Sequence, residues 1–329
     1  MNILFLASAA TTAAVAHAEP VTVGGSVVPP SSVPFIRTSF DDNHFYDDFG
    51  RVRIFHGGNR VEKHFPWLFE SMVASDDELD GFASVGFNVM RLGWMWTGFN
   101  PEENVFNYTY AKQFAGIVRR MAERGIYTLL DMHQDVMSSK FCLYDGVPLW
   151  VVNKSTPNRP FPWPLQGNCS SRSWGANWAT EAAVHACQDL YDNHNGMLDD
   201  LANFWKTSAQ LWKDEPGVIG YELINEPFAG DFFKDPAIML PGEAGAKNLQ
   251  PMYHRLAEAI RPFDDRHIIF FEPVTWGMIF NSTVAGSGFT EVPGGPSHCI
   301  VRQRPVLIGF WKSEFVPFYC VILSSLCCC

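Results

Sequence analysis

Residues 218–228 read VIGYELINEPF, an apolar run followed by an amide, a carboxyl group and a proline. The run Val218–Ile224 predicts a short buried strand. Asn225 and Glu226 then lie at the carboxyl end of that strand, which is where barrels of the α/β class gather their catalytic groups. This stretch therefore indicates both the fold class and the place of a site.

The same pattern of a short apolar strand followed by a helix repeats along the chain. The predicted strands are Val52–Phe55, Phe87–Leu92, Ile126–Met132, Val218–Ile224 and His267–Phe271. The predicted helices are Tyr110–Arg124, Leu198–Trp212 and a segment around Met252–Ile260. In the first of these helices, apolar residues recur at the spacing of one helix face. Five β–α units in this order predict a parallel sheet covered by helices.

Polar residues fall at the carboxyl ends of these predicted strands. They are Arg91, Asp131, His133, Asn225, Glu226 and Glu272. A (β/α)8 TIM barrel collects its catalytic groups at this edge. A doubly wound open sheet would more often carry a glycine-rich phosphate loop after its first strand, whereas Gly57-Gly58 is not a GxGxxG motif and is predicted to be a plain loop. We therefore predict an α/β fold of the TIM-barrel type.

The predicted barrel is incomplete. The five units extend to Glu272, and only residues 273–329 follow. A further β/α unit with its strand takes roughly 30 residues or more, so three more units do not fit. The prediction is about five of eight β/α units plus an unrelated C-terminal tail.

The Asn225-Glu226 pair suits glycoside hydrolysis. That reaction needs a carboxylic acid that protonates the leaving oxygen and a second carboxylate on the opposite face of the sugar. Glu226 is predicted as the acid/base, and Asn225 as the group that holds the sugar 2-hydroxyl. The alternative is structural, with Glu226 capping a helix or forming a salt bridge in a loop.

The segment LLDMHQD, residues 129–135, places Asp131, His133 and Asp135 at alternate positions of a strand end. We expect these side chains to order the polar floor of the site. A metal site formed by the three is the alternative, but the neighbouring strand ends supply no further histidine, so no metal is predicted. Arg91 follows an apolar strand and is expected to be buried with a carboxylate partner, as a site residue or as a purely structural ion pair.

Composition limits the class of protein. The chain of 329 residues is 47% hydrophobic and 14% aromatic, which excludes a disordered or fibrous protein. Its formal net charge of −11 argues against a nucleic-acid partner. Exposed aromatic rings are typical of a sugar-binding cleft, although most aromatic side chains are expected in the core.

The N-terminus predicts entry into the secretory pathway. Met1–Ala18 is apolar and ends in a small-x-small triplet, which is typical of a cleaved signal peptide. Four N-x-[ST] sequons fit a glycosylated secreted or lysosome-like protein. They lie at Asn107, Asn153, Asn168 and Asn281.

Three cysteines lie close together in the sequence, at Cys142, Cys169 and Cys187. In an oxidising compartment we expect a disulfide among them that closes a long loop. The spacing leaves the choice of partners open.

Several segments together resemble a known family. FNVMRLGW, LLDMHQD, YELINEP and IIFFEPVTWG resemble glycoside hydrolase family 5 of the cellulase-like clan. HGGNRVEKHFPW, DMHQDVMSSKF, YDGVPLW, SWGANWAT and CQDLYDN are similar to its endoglycoceramidase branch. The resemblance covers about residues 36–296. It implies a retaining (β/α)8 hydrolase that cuts the β-glycosidic bond between an oligosaccharide and ceramide, without a cofactor.

The resemblance also implies roles for individual residues. Glu226 matches the acid/base and Asn225 its partner, while Arg91 and His133 match the active-site floor. The residues that match sugar contacts are Lys63, Asp131, Asp135 and Trp178. The implied partner is a glycosphingolipid or oligosaccharide substrate, bound by a monomer that contacts a lipid surface peripherally.

This sequence departs from the family pattern after Gly295. Family members carry a sixth strand with His and Tyr, a nucleophilic Glu on the seventh and a Trp on the eighth, and they tend to have a C-terminal β-sandwich. None of these is recognised here, so the nucleophile is predicted to be absent and the chain to be inactive. The expected divisions are a signal peptide at 1–18, a linker at 19–35, a partial barrel domain at 36–296 and an aberrant or alternative tail at 297–329.

Three alternatives stay open. The chain could be a non-catalytic carbohydrate-binding pseudoenzyme or the product of a truncated gene model. It could also be a hydrolase of the same family that cleaves a β-glucan. A functional tail is the third alternative, with Phe315–Cys329 as a lipid anchor, although a stretch broken by Pro317 is short for a membrane span.

Overall fold

The computed structural model describes residues 21–23, 26–28, 33–38, 44–274, 287–291 and 320–323. The predicted signal peptide, Asn281 and nearly all of the predicted tail lie outside these residues.

Two small antiparallel sheets precede the main sheet. Strands β1 (Val21–Val23) and β2 (Ser26–Val28) form a hairpin. Strands β3 (Ile36–Thr38), β4 (Phe45–Asp47) and β5 (Val52–Arg53) form a three-stranded sheet in that order. The buried carboxylate of Asp47, at the end of β4, stabilises the turn between β4 and β5. It accepts hydrogen bonds from the N–H groups of Phe49 and Arg51.

The main sheet contains five parallel strands in chain order. They are β6 (Phe55–Arg60), β7 (Val89–Gly93), β8 (Tyr127–Asp131), β9 (Val218–Glu222) and β10 (Ile268–Phe270). A segment of the tail, β11 (Cys320–Leu323), pairs antiparallel with the outer edge of β6. Four of the five predicted strands and the parallel order of the sheet are confirmed, while the first barrel strand lies later in the chain than predicted.

Helices and helical turns connect these strands. The α-helices are α1 (Glu70–Ala74), α2 (Asp77–Ser84), α3 (Trp96–Phe99), α4 (Tyr108–Glu123), α5 (Leu149–Val152), α6 (Glu181–Tyr191), α7 (Met197–Trp212) and α8 (Gln250–Ile260). Short 3₁₀ turns lie at Ser139–Phe141, Cys169–Ser171, Trp174–Ala179, His194–Gly196 and Pro236–Met239, and a π-turn lies at Gly245–Leu249. The three helices predicted from the sequence are all present, with ends that differ by two residues at most.

Each face of the main sheet packs against a different layer. On one face, aromatic side chains of the helices and strands pack around Trp94, whose indole N–H donates to Ser208 Oγ at 2.9 Å. On the other face, Phe55, Val89 and Leu129 form a second apolar cluster with Ile36 and Phe45 of the small sheet. In a closed barrel this second face is the interior, so the (β/α)8 type of fold predicted from the sequence is confirmed, with five of its parallel strands among the described residues.

The start of the first barrel strand was predicted wrongly. Val52 belongs to the small antiparallel sheet, and the barrel strand begins at Phe55 and runs through Gly57 and Gly58. A Cβ atom on Gly57 would lie only 1.6 Å from the carbonyl oxygen of Val89 on the neighbouring strand. The glycine pair therefore permits a close approach between strands and does not form a loop.

A long loop separates β8 from α6, and a disulfide closes part of it. Cys142 and Cys169 are bonded, with Cα atoms 5.4 Å apart, whereas Cys187 is a buried free thiol on α6. This pairing answers the choice that the sequence left open. In the part of the chain that the structure describes, every helix is too short or too polar to cross a membrane.

The close approach at Gly57 gives a test of the strand register. Gly57→Ala should lower the free energy of unfolding by about 3 kcal/mol or more, because the added methyl group overlaps backbone that cannot move freely. Gly116→Ala on α4, where the added carbon has open space, should raise the free energy of unfolding by about 0.5–1 kcal/mol. Urea denaturation measures both, and equal effects of the two substitutions would contradict the strand assignment.

Candidate active site

The carboxyl ends of the five parallel strands bring polar side chains together around one buried arginine. Arg91 of β7 lies two residues after Val89 and on the same face, which is the face that lines a barrel interior. Its guanidinium donates from Nε to Glu222 Oε2 and from Nη2 to Glu222 Oε1, both at 2.7 Å. A bidentate pair of this kind fixes the arginine in one orientation.

Two further carboxyl groups surround the same guanidinium. Asp131 Oδ2 lies 2.9 Å from Arg91 Nη1, and Glu272 Oε1 lies 3.6 Å from Nη2. We call Arg91, Asp131, Glu222 and Glu272 the Arg91 cluster. Arg91 Nη1 also donates to Asn59 Oδ1 of β6 at 3.1 Å. The contacts of this guanidinium thus come from the barrel strands β6, β8 and β9, and from Glu272 just after β10.

Three carboxyl groups cannot all ionise around one buried guanidinium without leaving an excess of buried negative charge. Burial raises the pKa of Asp131 to about 7, although Arg91 and Lys63 oppose the shift. Burial and the neighbouring Glu222 carboxylate, which accepts a hydrogen bond from the protonated form of Glu272, raise the pKa of Glu272 well above its ordinary value. The neutral form of Glu272 is therefore favoured, and Glu222 makes the bidentate contact with Arg91.

His133 lies beside this cluster and is neutral. Its Nδ1 atom is 2.7 Å from Asp131 Oδ2, and its ring stacks on Tyr144 with ring centroids 6.3 Å apart. Burial lowers the pKa of His133 well below its ordinary value, and the positive charge of Arg91 lowers it further. An uncharged imidazole thus lies against the floor, with Nε2 3.9 Å from Asp135.

Lys63 and Asp135 form an ion pair at the more open side of the site. Lys63 comes from the loop after β6, is 41% exposed, and lies over the ring of Tyr144 at 5.3 Å. Asp131 and Asp135 are the carboxylates of the alternative metal site. In the structure Asp131 is paired with Arg91, and Asp135 is paired with Lys63.

A different group of side chains has the spacing of metal ligands. Glu181, His185 and Asp231 place ligand atoms within 4.8 Å of one another. Their atoms are already bonded, since His185 Nδ1 lies 2.9 Å from Asp231, and Glu181 accepts from the N–H groups of Asn158 and Arg159 at 3.1 Å each. These contacts join α6 to the two loops beside it.

Asn225 and Glu226 follow β9, as the sequence predicts. Asn225 is buried, and its Oδ1 accepts from Arg91 Nη2 at 2.7 Å. Glu226 is only partly buried and has a left-handed main chain with φ of +42°. Its N–H group donates to Glu272 Oε2 at 3.1 Å, which joins the predicted acid/base to the Arg91 cluster.

Trp178 lies next to the segment that carries Glu226, but it is buried. Its ring stacks on Phe228 with centroids 4.6 Å apart and an interplanar angle of 16°. In this position it supports the residues that follow Glu226, and its contact with a sugar stays a prediction.

The sequence did not single out Glu222, Asn59, Gln134 or Tyr144 as site residues. Glu222 could have been found, because it is a charged residue inside an apolar strand and needs a buried partner. Gln134 donates from Nε2 to the carbonyl oxygen of Asn225 at 2.7 Å, while Asn225 Nδ2 donates to the carbonyl oxygen of Gln134 at 2.8 Å. These contacts depend on the spacing of two loops, which one sequence does not reveal.

Known proteins share this arrangement of strands. Residues 56–301 match the family model of the cellulases, glycosyl hydrolase family 5. The chain is 44% identical over 299 residues to an endoglycoceramidase from Hydra vulgaris, which is 85% of this chain and 56% of that protein. It is 44% identical over 279 residues to an endoglycoceramidase from Cyanea nozakii, which is 79% of this chain and 54% of that protein.

A solved structure is also similar to the chain. Endo-glycoceramidase II from Rhodococcus sp., in complex with a five-membered iminocyclitol, superposes with a TM-score of 0.64 at 25% identity. The match covers 76% of this chain and 54% of that one. The chain thus spans somewhat over half the length of the relatives it matches.

The raised pKa of Asp131 predicts how stability depends on pH. In the unfolded chain this carboxyl has a pKa near 3.8 and in the folded protein about 7. Between these values the folded protein binds more protons than the unfolded chain, so the free energy of unfolding should fall as the pH rises from about 4 to about 7. Asp131→Asn should reduce that fall, and Glu272 should account for part of what remains. Urea denaturation across this range tests the prediction, which an unchanged slope in Asp131→Asn would contradict.

Proposed function

The chain belongs to glycoside hydrolase family 5, and from this we propose that it carries the acid/base half of a glycosidase site for glycosphingolipids. The observation that carries the proposal is the position of Glu226. This partly exposed carboxyl follows a barrel strand directly, and its main chain is hydrogen-bonded to the buried Arg91 cluster. A general acid needs such a rigid support and access to the leaving oxygen.

In the proposed reaction, Glu226 protonates the oxygen between the oligosaccharide and ceramide. Asn225 lies next to it and keeps one amide N–H for the sugar, since its other N–H binds Gln134 and its oxygen binds Arg91. Lys63 and Asp135 lie on the open side, where sugar hydroxyl groups would bind, and neutral His133 lies on the floor beneath them. Asp131 acts there through His133 and Arg91.

We also propose that this chain by itself does not complete hydrolysis. A retaining mechanism needs a second carboxylate roughly 5–5.5 Å from the acid, free to attack the anomeric carbon. In residues 44–274, the carboxyl groups nearest the site are bound to Arg91 or Lys63. None of these carboxyl groups in the described chain is suited to act as a nucleophile.

Glycosphingolipids are the proposed substrate class because both relatives at 44% identity are endoglycoceramidases. Exposed apolar side chains on the loops after the strands support contact with a lipid surface. Phe65 after β6 is 84% exposed, and Trp163 after β8 packs on Phe233 after β9 with ring centroids 5.4 Å apart. Such apolar loops could hold the ceramide end of a substrate next to Glu226.

We also propose that the protein is a secreted or lysosome-like glycoprotein that acts as a monomer. Asn107, Asn153 and Asn168 are all exposed, as glycosylation requires. The disulfide between Cys142 and Cys169 suits an oxidising compartment.

Chemical rescue tests the proposed function on the chain as it stands. We expect no release of oligosaccharide from a glycosphingolipid in buffer, but measurable release in concentrated sodium azide. Azide takes the place of the nucleophile that none of the described residues supplies and leaves as the α-glycosyl azide, while Glu226 still protonates the ceramide oxygen. Glu226→Gln should lower the azide-dependent rate by about 10²-fold or more, because general acid catalysis contributes that much.

The matched control is Glu123→Gln, which changes an exposed carboxyl on α4 and should leave the rate unchanged. Release without azide would contradict the proposed lack of a nucleophile, and azide-dependent release that survives Glu226→Gln would contradict the acid/base role. Oligosaccharide binding without any release would favour the carbohydrate-binding pseudoenzyme. Faster release from a β-glucan than from the glycolipid would favour the β-glucan hydrolase.

A further inference from the structure

Glu226 has a main-chain conformation that an L-amino acid rarely adopts. Its φ of +42° lies in the left-handed region, where a side chain other than glycine's brings strain. Glu226 is followed by Pro227, and it is not part of a regular turn with a glycine at this position. The surrounding contacts must therefore hold the residue in this conformation.

Gln134 holds the carbonyl side of this residue. Its Nε2 donates to the carbonyl oxygen of Asn225 at 2.7 Å and to that of Glu226 at 3.2 Å. Its Oε1 accepts from the N–H group of Met137 at 2.8 Å, so both ends of the amide are used. A Cβ atom on Gly146 would lie 2.7 Å from the Gln134 Cα, which shows how closely the next loop packs behind it.

Glu272 holds the amide side. Its Oε2 accepts the N–H of Glu226 at 3.1 Å, and its own carbonyl oxygen accepts from Tyr253 Oη at 2.7 Å. The other oxygen of this carboxyl faces the guanidinium, with Oε1 3.6 Å from Arg91 Nη2. The main chain of Glu226 is thus hydrogen-bonded on both sides, by Gln134 after β8 and by Glu272 after β10.

We propose that Gln134 and Glu272 are positioning residues that hold the Glu226 main chain in its left-handed conformation and thereby direct its carboxyl group. We call these two residues the backbone clamp. Neither acts on the substrate, because both side chains are buried and bonded to protein atoms. The importance of the clamp for catalysis rests on the proposed function, but its effect on the main chain does not.

A thermal-melting cycle on the full chain tests the clamp without an activity assay. With Gln134 and Glu272 unchanged, residue 226 is held in the left-handed region. Glu226→Gly should then melt about 2 °C or more above Glu226→Ala, because glycine removes the strain. With Gln134→Met or Glu272→Leu added, the main chain can relax, and this difference should fall by at least half or change sign.

Two variants serve as controls in the same cycle. Glu272→Gln keeps an oxygen that accepts the Glu226 N–H, and Gln113→Met changes an exposed glutamine on α4. With either control substitution added, the melting temperatures of Glu226→Gly and Glu226→Ala should differ as much as they do without it. A difference that persists in both Gln134→Met and Glu272→Leu, or that is missing without them, would overturn the proposal.

Hydrogen exchange followed by mass spectrometry covers the case in which a variant melts without cooperativity. The amide of Glu226 should exchange slowly in the unaltered chain and much faster in Glu272→Leu. In Glu272→Gln it should stay slow, and peptides of α4 should not change. Equal exchange of the segment 223–229 in the unaltered chain and in Glu272→Leu would overturn the proposal.

The two proposals can fail separately. If the melting cycle shows the coupling but azide-dependent release is insensitive to Glu226, the clamp stands and the acid/base role is wrong. If release depends on Glu226 but the coupling is absent, the acid/base role stands and the clamp is wrong.

Discussion

The buried guanidinium of Arg91 is the interaction on which the rest of the site depends. It contacts the carboxyl groups of Asp131, Glu222 and Glu272. Asp131 ends β8, Glu222 ends β9, and Glu272 lies two residues after the end of β10. Removing one partner from a buried ion pair typically lowers stability by about 3–5 kcal/mol, because the remaining charge stays buried without compensation. The carboxyl ends of the strands are thus held in one arrangement by charge, while apolar packing holds the sheet faces.

Three further polar residues of the site are positioned by this cluster. Asn225 is oriented by Arg91, and His133 by Asp131. Glu272 accepts the N–H of Glu226, and burial and the neighbouring Glu222 raise the pKa of Glu272 there. Of the three carboxyl groups around the one guanidinium, Glu272 is thus the one that binds the main chain of the predicted catalytic residue.

The sequence predicted the parts of the fold that depend on repeated local patterns. Four of the barrel strands, three of the helices between them and most of the polar residues at the strand ends were found, because each appears within a few neighbouring residues. The strand through Gly57 was missed, since its glycines reflect the close approach of Val89, a residue distant in sequence. Gln134 and the choice of Cys169 as the partner of Cys142 were missed for the same physical reason, as both depend on how loops pack.

The most direct test of the account is a crystal structure of the chain with the free oligosaccharide head group of a glycosphingolipid bound. The account predicts that the reducing-end sugar binds at the carboxyl ends of the strands, with its anomeric oxygen within about 2.6–3.2 Å of the Glu226 carboxyl and its 2-hydroxyl at Asn225. Lys63 and Asp135 should contact the same sugar or its neighbour. A sugar bound elsewhere on the surface, or bound there with Glu226 turned away from the anomeric oxygen, would contradict the account.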